Sequence, residues 1–328
     1  MNCKEEFQRL HEMLTASIIG QEKLVDRLLI ALLADGHLLV EGAPGLAKTR
    51  AIKTLSDGVD ANYQRIQFTP DLLPSDITGT EVFRPEDGSF IFQEGPIFHN
   101  LVLADEINRA PAKVQSALLE AMSERQVSVG SVTHPLPELF LVMATQNPIE
   151  QEGTYPLPEA QLDRFLMHVT IDYPSIDAER AILKLVRTEA QQACSAQTEK
   201  SRRHPERIGI SQESIFAARQ QVLNIHMAEP VEEYIVQLIM ATREPATYHA
   251  ELAGWIEFGA SPRATISLDR CSRSLAWLRG NDFVTPGDVQ SVIHDVLRHR
   301  IILAFEAEAK GISKKQVIDT LLDSVPAP

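Results

Sequence analysis

The segment Gly42-Ala43-Pro44-Gly45-Leu46-Ala47-Lys48-Thr49 sets small residues, one lysine and one hydroxyl in an order suited to holding a phosphate chain. It follows the apolar run Leu38–Val40 and opens a helical pattern, the strand-to-helix setting such a loop requires. Its backbone amides and a helix N-terminus would face the anion. Lys48 would neutralise the β- and γ-phosphates as a point charge, and the Thr49 hydroxyl would ligate magnesium. Ala47 stands where glycine is usual directly before the lysine, so a backbone conformation reserved to glycine cannot be assumed there. A fortuitous glycine-rich turn fits the same letters.

A second cluster complements the first. Leu101-Val102-Leu103-Ala104-Asp105-Glu106 reads as a buried strand that delivers two adjacent carboxylates at its carboxyl end, where α/β sheets bind ligands. Asp105 would hold the magnesium shell and Glu106 would orient or deprotonate an attacking water. A turn that merely caps the next helix is the plainer reading of the same pair, but phosphoryl transfer needs both halves and both are present. Asn147 follows the apolar strand Leu139–Thr145, and its amide would emerge beside a γ-phosphate if that strand neighbours the one carrying Asp105; a turn-forming Asn before Pro148 is the rival. Arg164 precedes a candidate strand and Arg263 opens a helix near the carboxyl end. Each is either a solvated surface charge or a cation for phosphate. In the second case Arg263 bends over the chain's own nucleotide, and Arg164 reaches a neighbouring subunit's nucleotide as a finger, which implies a ring.

These side chains meet only if the intervening elements form one sheet. Gln21–Ala34 has helical spacing, Gly36 then breaks it, and the candidate strands are Leu38–Val40, Tyr63–Phe68, Leu101–Ala104, Leu139–Thr145 and Phe165–Ile171. Between them Ala112–Ser123 puts Val114, Ala117, Leu118, Ala121 and Met122 on one helical face. Nearly continuous apolar strands alternating with helices predict a parallel α/β sheet. Strand signals fade after Tyr173-Pro174, and the polar stretch Thr188–Arg207 leads into helical patterns. One of these has Thr285 to cap it, Pro286 at its first position and Asp288 three residues past the cap. The expected organisation is an α/β unit over 1–190 and a small helical unit over 208–328. Lys200–His204 reads as a solvated loop.

With 328 residues and 44% apolar content the chain can bury a large core or two modest ones. Cys3, Cys194 and Cys271 lack metal-ligand spacing, no secretory signal is evident, and no run approaches the roughly 18 apolar residues of a membrane span. A cytoplasmic protein with free thiols is expected. A net charge of −14 disfavours nucleic acid and favours protein or small-anion partners.

Together these residues resemble the AAA+ superfamily. The runs Ala104-Asp105-Glu106-Ile107-Asn108-Arg109-Ala110-Pro111, Ala144-Thr145-Gln146-Asn147-Pro148 and Gln151 through Phe165 are similar to the MoxR family. The likeness continues in Gly259–Ala264 and Asp295–Arg300. The resemblance implies an AAA+ domain with a mainly parallel five-stranded sheet and a helical lid. It further implies a magnesium-dependent ATPase, usually hexameric, that remodels or matures client proteins, often beside a protein with a von Willebrand factor type A domain. It suggests Ile19 and Gly20 near adenine, Lys48 and Thr49 on phosphates and metal, and Asp105 and Glu106 at the hydrolytic centre. Asn147 and Arg263 would be sensors and Arg164 a finger, with Arg109 as a second candidate for contact between subunits. Two insertions are expected, a hairpin in Thr78–Pro96 turning at Asp87-Gly88 and another in Gln126–His134 turning at Gly130-Ser131. The first carries Glu81, Glu86, Asp87 and Glu94 against Arg84, which suits nucleic acid poorly. A nucleic-acid motor, a metal-chelatase motor subunit and a nucleotide-binding scaffold without turnover remain as alternatives.

Overall fold

The computed structural model describes residues 3–86, 88–148, 153–196 and 209–328. Its centre is a five-stranded sheet: β1 (Leu38–Glu41), β2 (Tyr63–Gln67), β3 (Leu101–Asp105), β4 (Leu141–Gln146) and β5 (Met167–Thr170). The spatial order is β2-β3-β4-β1-β5, and every neighbouring pair is parallel. All five lie within about two residues of the strands expected from sequence.

The apolar runs of β1, β3 and β4 are continuous because both sheet faces are covered. Side chains still alternate. Leu38, Val40, Leu101, Leu103, Leu141 and Met143 enter one core, and Leu39, Val102, Ala104, Val142 and Ala144 enter the other. The second core is closed by the helix Ala112–Glu124, which buries Val114, Leu118, Ala121 and Met122 as its spacing requires. The first is closed by the helices Cys3–Ser17, Glu22–Leu33 and Lys48–Gly58 and continues without a break into the carboxyl-terminal helices.

That continuity makes the first core common to the sheet and the carboxyl-terminal helices. Phe7 meets Trp277 edge to face at 5.2 Å, and Asp295, 1% exposed, takes Lys23 and Arg27, each at 2.8 Å. Burial works against the Asp295 charge, but Arg27 and Lys23 outweigh it and lower its pKa. Removing Asp295 would leave the buried Arg27 without its carboxylate at a cost of about 3–5 kcal/mol, so the seam resists parting.

The helix Ile176–Ala196 runs through residue 190 and into the stretch expected to be a linker. Residues 197–208, including the basic cluster Lys200–His204, lie outside the described residues. Beyond them come Gln212–Leu223, Glu229–Arg243, Pro262–Leu278, Pro286–Leu297 and Lys314–Ser324. Thr285 caps as anticipated: its hydroxyl accepts from Asp288 N at 3.2 Å, while Asp288 Oδ2 accepts from Thr285 N at 2.9 Å. Both insertions are antiparallel hairpins, Gly79–Arg84 with Ser89–Glu94 and Gln126–Val129 with Val132–Pro135. Gly88 (φ +68°) and Gly130 (φ +61°) supply the left-handed turn residues, whereas Asp87 lies outside the described residues. Cys3 and Cys271 are free; burial pushes the Cys271 thiol up to about 12, so it is inert, and the Cys194 side chain is outside the description. No helix among the described residues is long and apolar enough to cross a membrane.

Candidate nucleotide site

The loop at residues 42–47 leaves β1 and turns into the helix Lys48–Gly58 at the carboxyl tips of the strands. A Cβ on Gly42 would lie 2.4 Å from Ile171 Cγ1, so only glycine lets the loop pass β5. Gly45 takes φ +83° with nothing within 4 Å of a Cβ position, which leaves that side open to a ligand. Ala47 adopts the left-handed conformation after all, at φ 58° and ψ 16°, and carries the steric cost that glycine avoids. No side chain caps the helix that begins at Lys48, so its first amides face the opening, as an anion cradle requires. Lys48 Nζ donates to Gly42 O at 2.7 Å and to Gln146 O at 3.4 Å, which folds the ammonium back across the loop.

Asp105 ends β3 and meets this loop because β3, β4 and β1 are adjacent. One cavity of about 340 Å³ is lined by Pro44, Gly45, Ala47, Lys48, Thr49, Arg50, Asp105, Glu106 and Asn147. Thr145, buried in β4, ties both acidic residues: its hydroxyl donates to the Asp105 carboxylate (Oδ1, 2.6 Å) and accepts from the Glu106 backbone N at 2.9 Å. Arg65 on β2 donates to Asp105 Oδ2 through Nη2 (2.7 Å) and Nε (3.1 Å). Glu106 holds a left-handed backbone at φ 57°, strain of the kind that clusters at active sites. Its carboxylate accepts from Gln67 Nε2 at 2.8 Å and pairs with Arg109 Nε at 3.1 Å. Arg109, its side chain 40% exposed, is thus paired with the Glu106 of its own chain. Asn147 is buried at the end of β4, and its strand is the neighbour of β3 that the sequence argument required.

A second cavity of about 290 Å³ shares Gly45, Ala47 and Arg50 with the first and adds Ser17, Ile19, Gln21, Leu46, Pro174, Glu179, Ile182, Leu185 and Val186. Its apolar walls suit a purine ring. Gly20 takes φ +78° between Ile19 and Gln21, and a Cβ there would meet Ala178 Cβ at 2.8 Å. The contribution of the helix Ile176–Ala196 was not foreseen.

Arg164 and Arg263 are brought together, but elsewhere. Both line a cavity of about 310 Å³ with Gly36, His37, Arg125, Asp163, Leu166 and Arg270. Gly36 and His37 precede β1 and Leu166 precedes β5, so this cavity opens at the amino end of the sheet. At roughly 3.3 Å per residue, residues 37–42 separate it from the phosphate loop by about 16 Å. Arg263 therefore does not bend over its own chain's nucleotide, which corrects the expectation for it. It lies 3.6 Å from Asp163 Oδ2, and Arg164 Nη1 donates to Leu119 O at 2.7 Å.

The donor set at the first cavity fits a triphosphate with magnesium: backbone amides and an ammonium for phosphate oxygens, a hydroxyl and a carboxylate for a hard cation. Family comparison agrees on the class. Residues 37–167 match the ATPase family associated with various cellular activities (AAA), and residues 253–321 match the AAA lid domain, which makes the fold that of an AAA+ ATPase.

Similarity narrows the class. Chaperone MoxR1 of Mycobacterium tuberculosis is 46% identical over 312 residues, covering 95% of this chain and 79% of that protein. Protein MoxR of Methylorubrum extorquens is 31% identical over 98% of this chain and 94% of its own length. A crystal structure of a candidate ATPase from Cytophaga hutchinsonii superposes with a TM-score of 0.87 at 42% identity, covering 99% of this chain and 96% of that one. The chain belongs to the MoxR family of AAA+ ATPases.

Proposed function

We propose that the chain is a magnesium-dependent ATPase that works as a ring, each active site being shared by two copies, and that its turnover remodels or matures a client protein. One observation carries this reading. Lys48, Thr49, Asp105, Glu106 and Asn147 line one cavity, while Arg164 and Arg263 stand together at the opposite end of the same sheet. Head-to-tail packing of copies sets the second face of one against the first face of the next, and closure of that heterologous contact is a ring. A hexamer is the expected size. The chaperone name of the mycobacterial relative supports the client, and the family resemblance adds a partner with a von Willebrand factor type A domain.

The residues divide the labour. Lys48 gives up its carbonyl contacts for the β- and γ-phosphates, and the loop amides take the remaining oxygens. Thr49 and Asp105 would hold magnesium, which offsets phosphate charge when bound. Glu106, aimed by Gln67 and by its own backbone, orients the attacking water and draws its proton. Asn147 steadies that water or the γ-phosphate from the next strand tip. The neighbour's Arg164 and Arg263 enclose the γ-phosphate as charge develops.

Mixing subunits tests the shared site. Lys48→Ala and Arg164→Ala rings should each be nearly inactive. Mixed one to one, about a quarter of the interfaces pair an intact loop with an intact arginine, and turnover should recover to about that share. No recovery in rings verified to have exchanged subunits overturns the shared site.

A further inference from the structure

The turn that carries Arg164 is held by one buried side chain of the helical region. Arg300, whose side chain is 2% exposed, donates through Nε to Asp163 Oδ1 at 2.8 Å. It also donates to the carbonyls of Phe165 (2.6 Å), Leu166 (3.1 Å) and Val296 (2.6 Å) and to Ser267 Oγ (3.2 Å). Its donors are used within the chain, so it is a brace rather than a group for a neighbour. The other oxygen of Asp163 faces the helix Pro262–Leu278. Oδ2 accepts from Ser261 Oγ, the cap of that helix, at 2.9 Å and lies 3.6 Å from Arg263 Nη1. One carboxylate thus joins the turn of Arg164 to the start of the helix that bears Arg263.

We infer that Asp163, clamped by Arg300, is the positioning residue that makes Arg164 and Arg263 a single unit facing a neighbouring subunit's triphosphate. Two guanidinium groups converging on one cavity repel each other, and an anion fixed between their backbones offsets that repulsion before phosphate arrives. The anchor also ties the finger to the helical region, so a shift of those helices moves both cations together. Because phosphoryl transfer is sensitive to displacements of an ångström, the link acts on the rate and leaves the neighbour's nucleotide pocket intact.

This inference rests on the shared-site reading, and a double-mutant cycle on assembled rings separates the two. Asp163→Asn keeps the shape and removes the charge. It should lower kcat roughly tenfold to a hundredfold, with KM for ATP within about twofold and ring size unchanged. In an Arg164→Ala/Arg263→Ala background the same change should cost no more than about twofold of the residual rate, because both groups it positions are gone. Equal losses in both backgrounds would show a merely structural role, and no loss in the parent ring would overturn the inference outright. If Asp163→Asn fails to assemble, Arg300→Lys, which keeps the cation and drops the fork, is read through the same cycle. Full turnover in both Arg164→Ala and Arg263→Ala rings would take down the shared site and this inference with it. Loss in those two with none in Asp163→Asn would take down the inference alone.

Discussion

His37 stands one residue before β1 and ties two elements that support the phosphate loop. Val142 N donates to its Nδ1 at 3.0 Å, and Nε2, in the matching tautomer, donates to Met122 O at 3.2 Å. Both contacts coexist only in the neutral ring, because a proton on Nδ1 removes the acceptor of a buried strand amide. Burial first, and then the Arg125 charge, lower the pKa from 6.5 to about 4. With the folded value below the unfolded one, the unfolded chain takes the proton first. The stabilisation is complete above about pH 6.5 and drains away as the pH falls toward 4. The full difference amounts to about 3 kcal/mol, of which roughly 2 kcal/mol is lost between pH 7 and pH 5. Buried His299 is shifted in the same direction, by burial and by Arg300, and adds to the slope with the same sign. Glutamine at position 37 can accept from Val142 and donate to Met122 without titrating. Urea unfolding at the two pH values should therefore show the parent losing about 2 kcal/mol more than His37→Gln on acidification. Equal losses in the two proteins, or an imidazole resonance of His37 that titrates near its ordinary value, would refute the reasoning.

Two further substitutions probe the site. Ala47→Gly removes the cost of a Cβ in a left-handed backbone, about 1 kcal/mol, and should raise the melting temperature by roughly 1–3 °C without loss of ATP turnover, whereas Ala47→Val should lower it; a lower melting temperature for the glycine variant would count against the observed loop. Arg65→Ala frees Asp105 Oδ2 for the metal. It should lower the magnesium needed for half-maximal turnover, and tighten Mn²⁺ binding read by electron paramagnetic resonance, by roughly two- to fivefold; weaker Mn²⁺ binding would show that Arg65 supports the metal shell instead of competing with it.

The sequence disclosed what is local. Residues 42–49 and the pair Asp105-Glu106 are contiguous, and their chemistry follows from residue type and from the apolar strand before each. The strands were legible because burial on both faces forces unbroken apolar runs, and the Thr285–Asp288 cap because capping spans only three residues. What was missed lies in long-range pairing. Arg65, Gln67 and Thr145 touch Asp105 or Glu106 only because β2 and β4 flank β3, an order no single strand encodes. Asp163 and Arg300 are 137 residues apart. The helix Ile176–Ala196 buries none of its side chains from Ile176 to Gln191, so its polar residues read as linker. The position of Arg263 at the start of a helix near the carboxyl end is compatible with its lying over its own chain's nucleotide. Strand length and cavity lining put it at the other end of the sheet.

A single-turnover chase in assembled Glu106→Gln rings bears most directly on convergence of the loop and the acidic pair around one nucleotide. Labelled ATP with magnesium should be bound with affinity within a few-fold of the parent, and cleavage should slow by at least about a hundredfold, so that label is recovered as ATP. Recovery as ADP at the parent's rate would contradict the assignment of Glu106, and with it the shared geometry on which the rest depends.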